Sequence, residues 1–88
     1  DKIVAFLREN PDAEIELSGH TSAEGDAGFN RSLSYKRVKN CKEYIVSNGI
    51  TTDRILAVGY GPDRPAAPNN TEAGRVQNRR VEMRILKL

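Results

Sequence analysis

The sequence predicts an α/β (α+β) sandwich, a small mixed β-sheet with helices packed on one face. Three observations carry that prediction. Ala13, Ile15 and Leu17 alternate with Glu14, Glu16 and Ser18, the period-two pattern of a strand with one buried face. A long helical stretch follows, closed by Asn48-Gly49. Near the end of the chain Val81, Met83 and Ile85 alternate with Arg80, Glu82 and Arg84, a second amphipathic strand.

Taken in order, Asp1 to Asn10 reads as a short helix, because Ile3, Val4 and Leu7 share a face. Asn10-Pro11-Asp12 stops it, since proline disfavours a helical residue before it. The strand at Ala13 to Ser18 leads into a polar, glycine-containing connection from Gly19 to Gly28. Asn30 to Ser47 is the long helix, and Ile55 to Tyr60 is a second strand closed by Gly61-Pro62. A proline-rich loop spans Asp63 to Asn70, Thr71 to Gln77 forms a short helical turn, and Arg79 to Leu88 is the third strand. No linker or repeat divides the 88 residues, so 1–88 is read as one domain. The chain starts at Asp1, at the head of a helix and without Met, and reads as a fragment of a longer protein.

Composition excludes more than it assigns. The formal net charge is +2 and tryptophan is absent, which argues against a nucleic-acid surface built on basic stripes and stacking aromatics. One cysteine, Cys41, rules out an internal disulfide and a cysteine-rich metal site. No apolar run approaches the roughly 20 residues of a membrane-spanning helix. Gly59-Tyr60-Gly61 lacks the third glycine and following helix of a dinucleotide loop and reads as a strand end. His20, the only histidine, has no nucleophile or carboxylate marked by spacing, so no catalytic group and no cofactor are expected.

The long helix carries a peculiarity. Advancing about 100° per residue, Leu33, Cys41, Tyr44 and Ile45 fall within about 60° of Asn30 and define a core-facing stripe. Ser32, Lys36, Lys39 and Glu43 lie opposite, toward water. Asn30 and Arg37 sit inside the apolar stripe, where polar groups must be paired or must line a cleft. Two explanations are open: a structural Arg37 ion-paired with Glu14, Glu16 or Asp26, or a cleft floored by Asn30 and Arg37.

Motifs then come in order. Gly19-His20-Thr21-Ser22 opens the connection; Asn30, Leu33-Ser34 and Arg37 follow at N-x-x-L-S-x-x-R spacing; Gly74-Arg75-Val76-Gln77-Asn78-Arg79-Arg80-Val81-Glu82 matches G-R-x-x-N-R-R-V-E. This resembles the OmpA-like C-terminal, peptidoglycan-binding domain of bacterial outer-membrane proteins, from Ile15 to Ile85. The resemblance implies a non-catalytic module that binds the stem peptide of peptidoglycan, mainly its diaminopimelate, and anchors the outer membrane to the cell wall from its periplasmic side. The parent protein would be membrane-associated through a segment outside this chain. By the same resemblance, Arg37 takes the ligand carboxylate, Asn30 and Arg79 reach the ligand, backbone around Phe29 assists, and His20 is a structural turn residue. A first family strand precedes the position where this chain starts.

One position departs from the pattern. Where the family has an Asp for the ligand ammonium, this chain has Ser22, which brings a hydroxyl and no charge. Glu24 or Asp26 in the same connection are candidate substitute anions. The alternative is a structural or protein–protein interaction module of the same fold with weakened peptidoglycan binding. Among the remaining basic residues, Arg75 and Arg80 are expected to be partners of acidic side chains, and Cys41 to be a buried core thiol.

Overall fold

Asp1 starts the first helix by capping it, its carboxylate accepting from the backbone N–H of Ile3 at 2.8 Å. In the computed structural model, which describes all 88 residues, this helix α1 spans Lys2–Glu9 and is followed by β1 (Glu14–His20), α2 (Ala27–Ser47), β2 (Ile55–Gly61), α3 (Glu72–Asn78) and β3 (Val81–Lys87). A single 3₁₀ turn at Thr52–Arg54 precedes β2. The expected α+β sandwich forms, with strand order β2-β1-β3, β2 parallel and β3 antiparallel to the central β1. α2 begins earlier than the periodicity predicts, because Asp26 serves as its N-cap and accepts from Phe29 N–H at 2.7 Å. No helix is long and apolar enough to cross a membrane.

The core is Val4 and Leu7 of α1, Ala13, Ile15 and Leu17 along β1, Val38 and Ile45 of α2, with Ile50 and Ile55 closing the end. Around Arg31 to Tyr35, α2 packs on the sheet with almost no side chain between. A Cβ on Gly59 would lie 2.5 Å from the Tyr35 backbone nitrogen, and one on Gly19 would lie 2.5 Å from the Ser34 carbonyl oxygen. Ser34, fully buried, fills the seam: its hydroxyl donates to the Arg31 carbonyl and accepts from Gly61 N–H, each at 2.9 Å. At the other end Arg54 donates to the backbone carbonyls of Leu7, Asn10 and Ala13 at 2.8, 2.7 and 3.0 Å. One guanidinium thus closes the C-terminal end of α1 onto the start of β1.

Two expectations need correction. The sheet-facing stripe of α2 is Asn30, Ser34, Val38 and Ile45, rotated from the apolar one. On the same helical projection its centre lies about 45° from Asn30, with Arg37 and Tyr44 about 65° and 85° off it. Arg37 is therefore exposed, as is Tyr44. Hydrophobicity misplaced the stripe because the closest contact is made by small and polar residues against glycine. Cys41 is also exposed and not a core thiol. It lines an open groove with Leu17, Tyr44, Ile45 and Val81, which the short α1 does not cover. For the same reason every residue of β3, the edge strand, is exposed, including Val81, Met83 and Ile85. Central β1, by contrast, is buried on both faces, since Glu16, Ser18 and His20 are buried as well as Ile15 and Leu17.

The glycine seam yields a prediction. Gly59→Ala should lower the unfolding free energy by about 1–3 kcal/mol, because the added methyl meets helix backbone that cannot move alone. Urea denaturation of the variant measures this, and wild-type stability would contradict the seam.

Candidate functional site

The loop leaving β1 is built around Glu24. Thr21 N–H donates to the Gly61 carbonyl at 2.9 Å, fixing the loop to the end of β2. Ser22, buried, donates to Glu24 Oε1 at 3.2 Å, and Asn30, also buried, donates through Nδ2 to the Glu24 carbonyl at 2.7 Å. Glu24 Oε1 also meets Arg79 Nη2 at 3.0 Å and Arg75 Nε at 3.3 Å. Both arginines reach Glu72 in turn, at 3.3 and 3.0 Å, so two carboxylates and two guanidiniums close a neutral ring across the loop and α3. The Glu72 carboxyl is held below its ordinary range, first by the hydrogen bond from Arg75 and then by that from Arg79. Arg79 is pushed up, foremost by its hydrogen bond to Glu24.

The structure therefore brings Ser22, Glu24, Asn30 and Arg79 together. Both hydrogen bonds to the Glu24 carboxylate run to Oε1, leaving Oε2 without a hydrogen-bond donor in the chain. Asp26 lies apart in function, its carboxylate committed to capping α2. Phe29 is exposed at the head of the same helix. Arg37 stands on the outer surface of α2 with no ion pair or side-chain hydrogen bond, so a structural Arg37 paired with Glu14, Glu16 or Asp26 is not what forms. Glu14 is paired with Lys87 and Glu16 with Arg84. Arg75 and Arg80 do find acidic partners, Arg80 taking Glu82.

Residue-type reasoning missed Asn78, Asn69 and Glu72. Asn78 is fully buried, accepts from Ala66 and Ala67 N–H at 2.7 and 3.0 Å, and donates to Asn69 Oδ1 at 2.9 Å. Asn69 Oδ1 also accepts from Ala23 N–H at 3.1 Å, which stitches the proline-rich loop to the Ser22 loop. The signal was present in the N-R-R motif, where the asparagine stands beside the arginines. Gly74 belongs to the same junction, because a Cβ there would run into the Pro68 carbonyl oxygen. No group of His, Cys, Asp or Glu has a metal-binding arrangement.

His20 ends β1 and does not sit in a turn; its Nε2 lies 3.0 Å from Ser18 Oγ. Burial, then the nearby Arg80, lowers its pKa below 6.5, so the ring is neutral at pH 7.

The fold is an open three-stranded α+β sandwich, with a polar loop braced by an ionic ring at one end. Comparison with known proteins gives the family: the OmpA family model matches residues 1–79, and the chain belongs to the OmpA family. It is 44% identical over 80 residues to outer membrane porin F of Pseudomonas fluorescens, covering 91% of this chain and 24% of that protein. It is 39% identical over 83 residues to the peptidoglycan-binding protein ArfA of Mycobacterium tuberculosis, covering 94% of this chain and 26% of that protein. The chain thus spans about a quarter of the length of these relatives. The crystal structure of the peptidoglycan-associated lipoprotein from Burkholderia pseudomallei superimposes with a TM-score of 0.89 at 26% identity, over 96% of this chain and 71% of that one.

A pH prediction follows from His20. Its depressed folded-state pKa means the unfolded chain binds more protons below 6.5. The contribution to stability is complete above pH 6.5 and is lost as pH falls from there through the folded value. An NMR titration of the single histidine should give a midpoint below 6.5; a midpoint at or above it would remove the argument.

Proposed function

We propose that the chain is a peptidoglycan-binding domain that holds the stem peptide non-covalently, through its diaminopimelate, and so anchors an envelope protein to the cell wall. The observation that carries this reading is the unpaired Arg37 on the same helix as a loop whose Glu24 keeps one oxygen free. Diaminopimelate is zwitterionic, and the chain offers a cation on α2 and an acceptor in the loop before it. Arg37 presents a planar fork to a carboxylate. Glu24 Oε2, with Ser22 beside it, presents an acceptor to the ammonium. Asn30 and Arg79 hold Glu24 in place, which gives them a positioning role. Of the two substitute anions, Glu24 fits and Asp26 does not, because Asp26 is spent as a helix cap. The names of relatives such as ArfA and the peptidoglycan-associated lipoprotein support the ligand class. A location on the periplasmic face of the outer membrane is part of the same proposal, as is a membrane attachment outside this chain.

A second reading rests on one observation. Glu24 is neutralised by Arg75 and Arg79, and Ser22 adds no charge, so an ammonium meets a weaker field than an unpaired Asp would give. In that case the fold serves as a spacer or protein-interaction module with weakened wall binding.

Two predictions separate these. Arg37→Ala should abolish co-sedimentation with purified sacculi and leave the far-ultraviolet circular dichroism unchanged, since the side chain is exposed and unpaired. Glu24→Gln should weaken sacculus binding about tenfold, the scale of one charge-assisted hydrogen bond, whereas Asp26→Asn should leave it within about twofold. Failure of the wild type itself to sediment with sacculi would favour the spacer reading, and equal binding by wild type and Glu24→Gln would remove Glu24 as the ammonium's partner.

A further inference from the structure

The face of the sheet turned away from α1 and α2 carries a second polar groove, of about 260 Å³, that the cell-wall reading does not use. Its floor is the outer side of β1, where Glu16, Ser18 and His20 are all buried. The His20 ring stacks on Tyr60 with centroids 5.5 Å apart and planes inclined by 21°. Above Tyr60 lies Arg64, its guanidinium carbon 3.9 Å from the ring centroid. The other charges of the groove pair with one another, Arg80 with Glu82 and Arg84 with Glu16.

Two features are left over. His20 Nδ1 is the one buried side-chain polar atom in the chain without a partner. Arg64 is stacked in place, yet its guanidinium makes no ion pair and no hydrogen bond. Buried polar atoms are nearly always satisfied, so an orphan ring nitrogen in the wall of the groove that also holds an unspent guanidinium points to a ligand there. The ring's chemistry agrees. When the Ser18 hydroxyl donates to Nε2, the neutral imidazole carries its hydrogen on Nδ1, which becomes a donor. Three arginines and two glutamates line the groove, and 3 − 2 leaves one net positive charge.

We propose that this groove binds a carboxylate monoanion, gripped by the Arg64 guanidinium with the Nδ1–H of His20 as second donor. One net positive charge complements one carboxylate, whereas a phosphate dianion would leave excess negative charge beside Glu16 and Glu82. The planar two-oxygen group also matches the arginine fork. The volume admits a body about the size of a sugar ring behind the carboxylate.

His20 is the only histidine, so its ring resonances report this groove without ambiguity and independently of sacculus binding at Arg37. The probe is N-acetylmuramic acid, with N-acetylglucosamine, the same ring lacking the carboxylate, and inorganic phosphate as comparisons at matched ionic strength. N-acetylmuramic acid should shift the His20 resonances saturably and raise the histidine pKa. N-acetylglucosamine should leave both unchanged, and phosphate should bind more weakly. Arg64→Ala, at an exposed position, should weaken the response about fivefold or more, the scale of a lost charge-assisted hydrogen bond. Three results would overturn the proposal: no shift with N-acetylmuramic acid, an equal or stronger response to phosphate or N-acetylglucosamine, or an Arg64→Ala variant that binds as wild type does.

Discussion

The close approach of α2 to the sheet at Gly19 and Gly59 is the constraint on which the rest of the structure depends. With backbone nearly on backbone, the helix has one depth and one rotation, and Ser34 fixes both by bonding to Gly61 and Arg31. That rotation buries Asn30 and exposes Arg37. It also sets the height of the loop between β1 and α2, whose Thr21 is tied to the same Gly61. A helix held by bulky apolar side chains could slide or roll by fractions of a turn. A helix seated on glycine has far less freedom, which suits a site whose groups must keep a fixed separation.

The element order and the α+β architecture were legible because they follow from period-two and period-3.6 patterns interrupted by proline and glycine. β1, β2, β3 and all three helices appear within a few residues of where the sequence puts them. The orientation of α2 was not legible. Periodicity weighs Leu33, Cys41 and Tyr44 as core residues, yet the seam selects Ser34 and Asn30, whose value lies in small size and hydrogen bonding. The burial of Glu16, Ser18 and His20 was hidden for a related reason. A central strand in so small a sheet is covered on its polar side by the long side chains of its neighbours, here Arg84, Tyr60 and Arg64. At the candidate site, motif order singled out Ser22, Asn30 and Arg79, which the fold gathers around Glu24, but not the ionic ring that Glu24 and Arg79 form with Glu72 and Arg75. It gave no indication that Asn78 and Asn69 stitch two distant loops together, since that is a property of the closed fold and not of any local pattern.

The ionic ring around Glu24 shows how charge is distributed across the molecule. Glu24, Glu72, Arg75 and Arg79 cancel, and they are largely exposed, so their worth lies in arranging the loop more than in stability. Arg37 and Arg64 are different. Each is placed by structure, one on α2 and one over Tyr60, and neither is neutralised within the chain. The two faces of the domain therefore each present one uncommitted guanidinium in an otherwise balanced charge pattern.

The pairing of β3 with β1 has a mechanical meaning. The register sets Lys87 opposite Glu14 and Val81 opposite Gly19, so the Ser22 loop and the C-terminal end of β3 lie at opposite ends of the same ladder. Tension applied between the Ser22 loop and Lys87 would act along the strands. The inter-strand hydrogen bonds run across that direction and are loaded together in shear, not opened one after another. An edge strand that looks poorly protected in a static view is thus oriented as a strong element under pull.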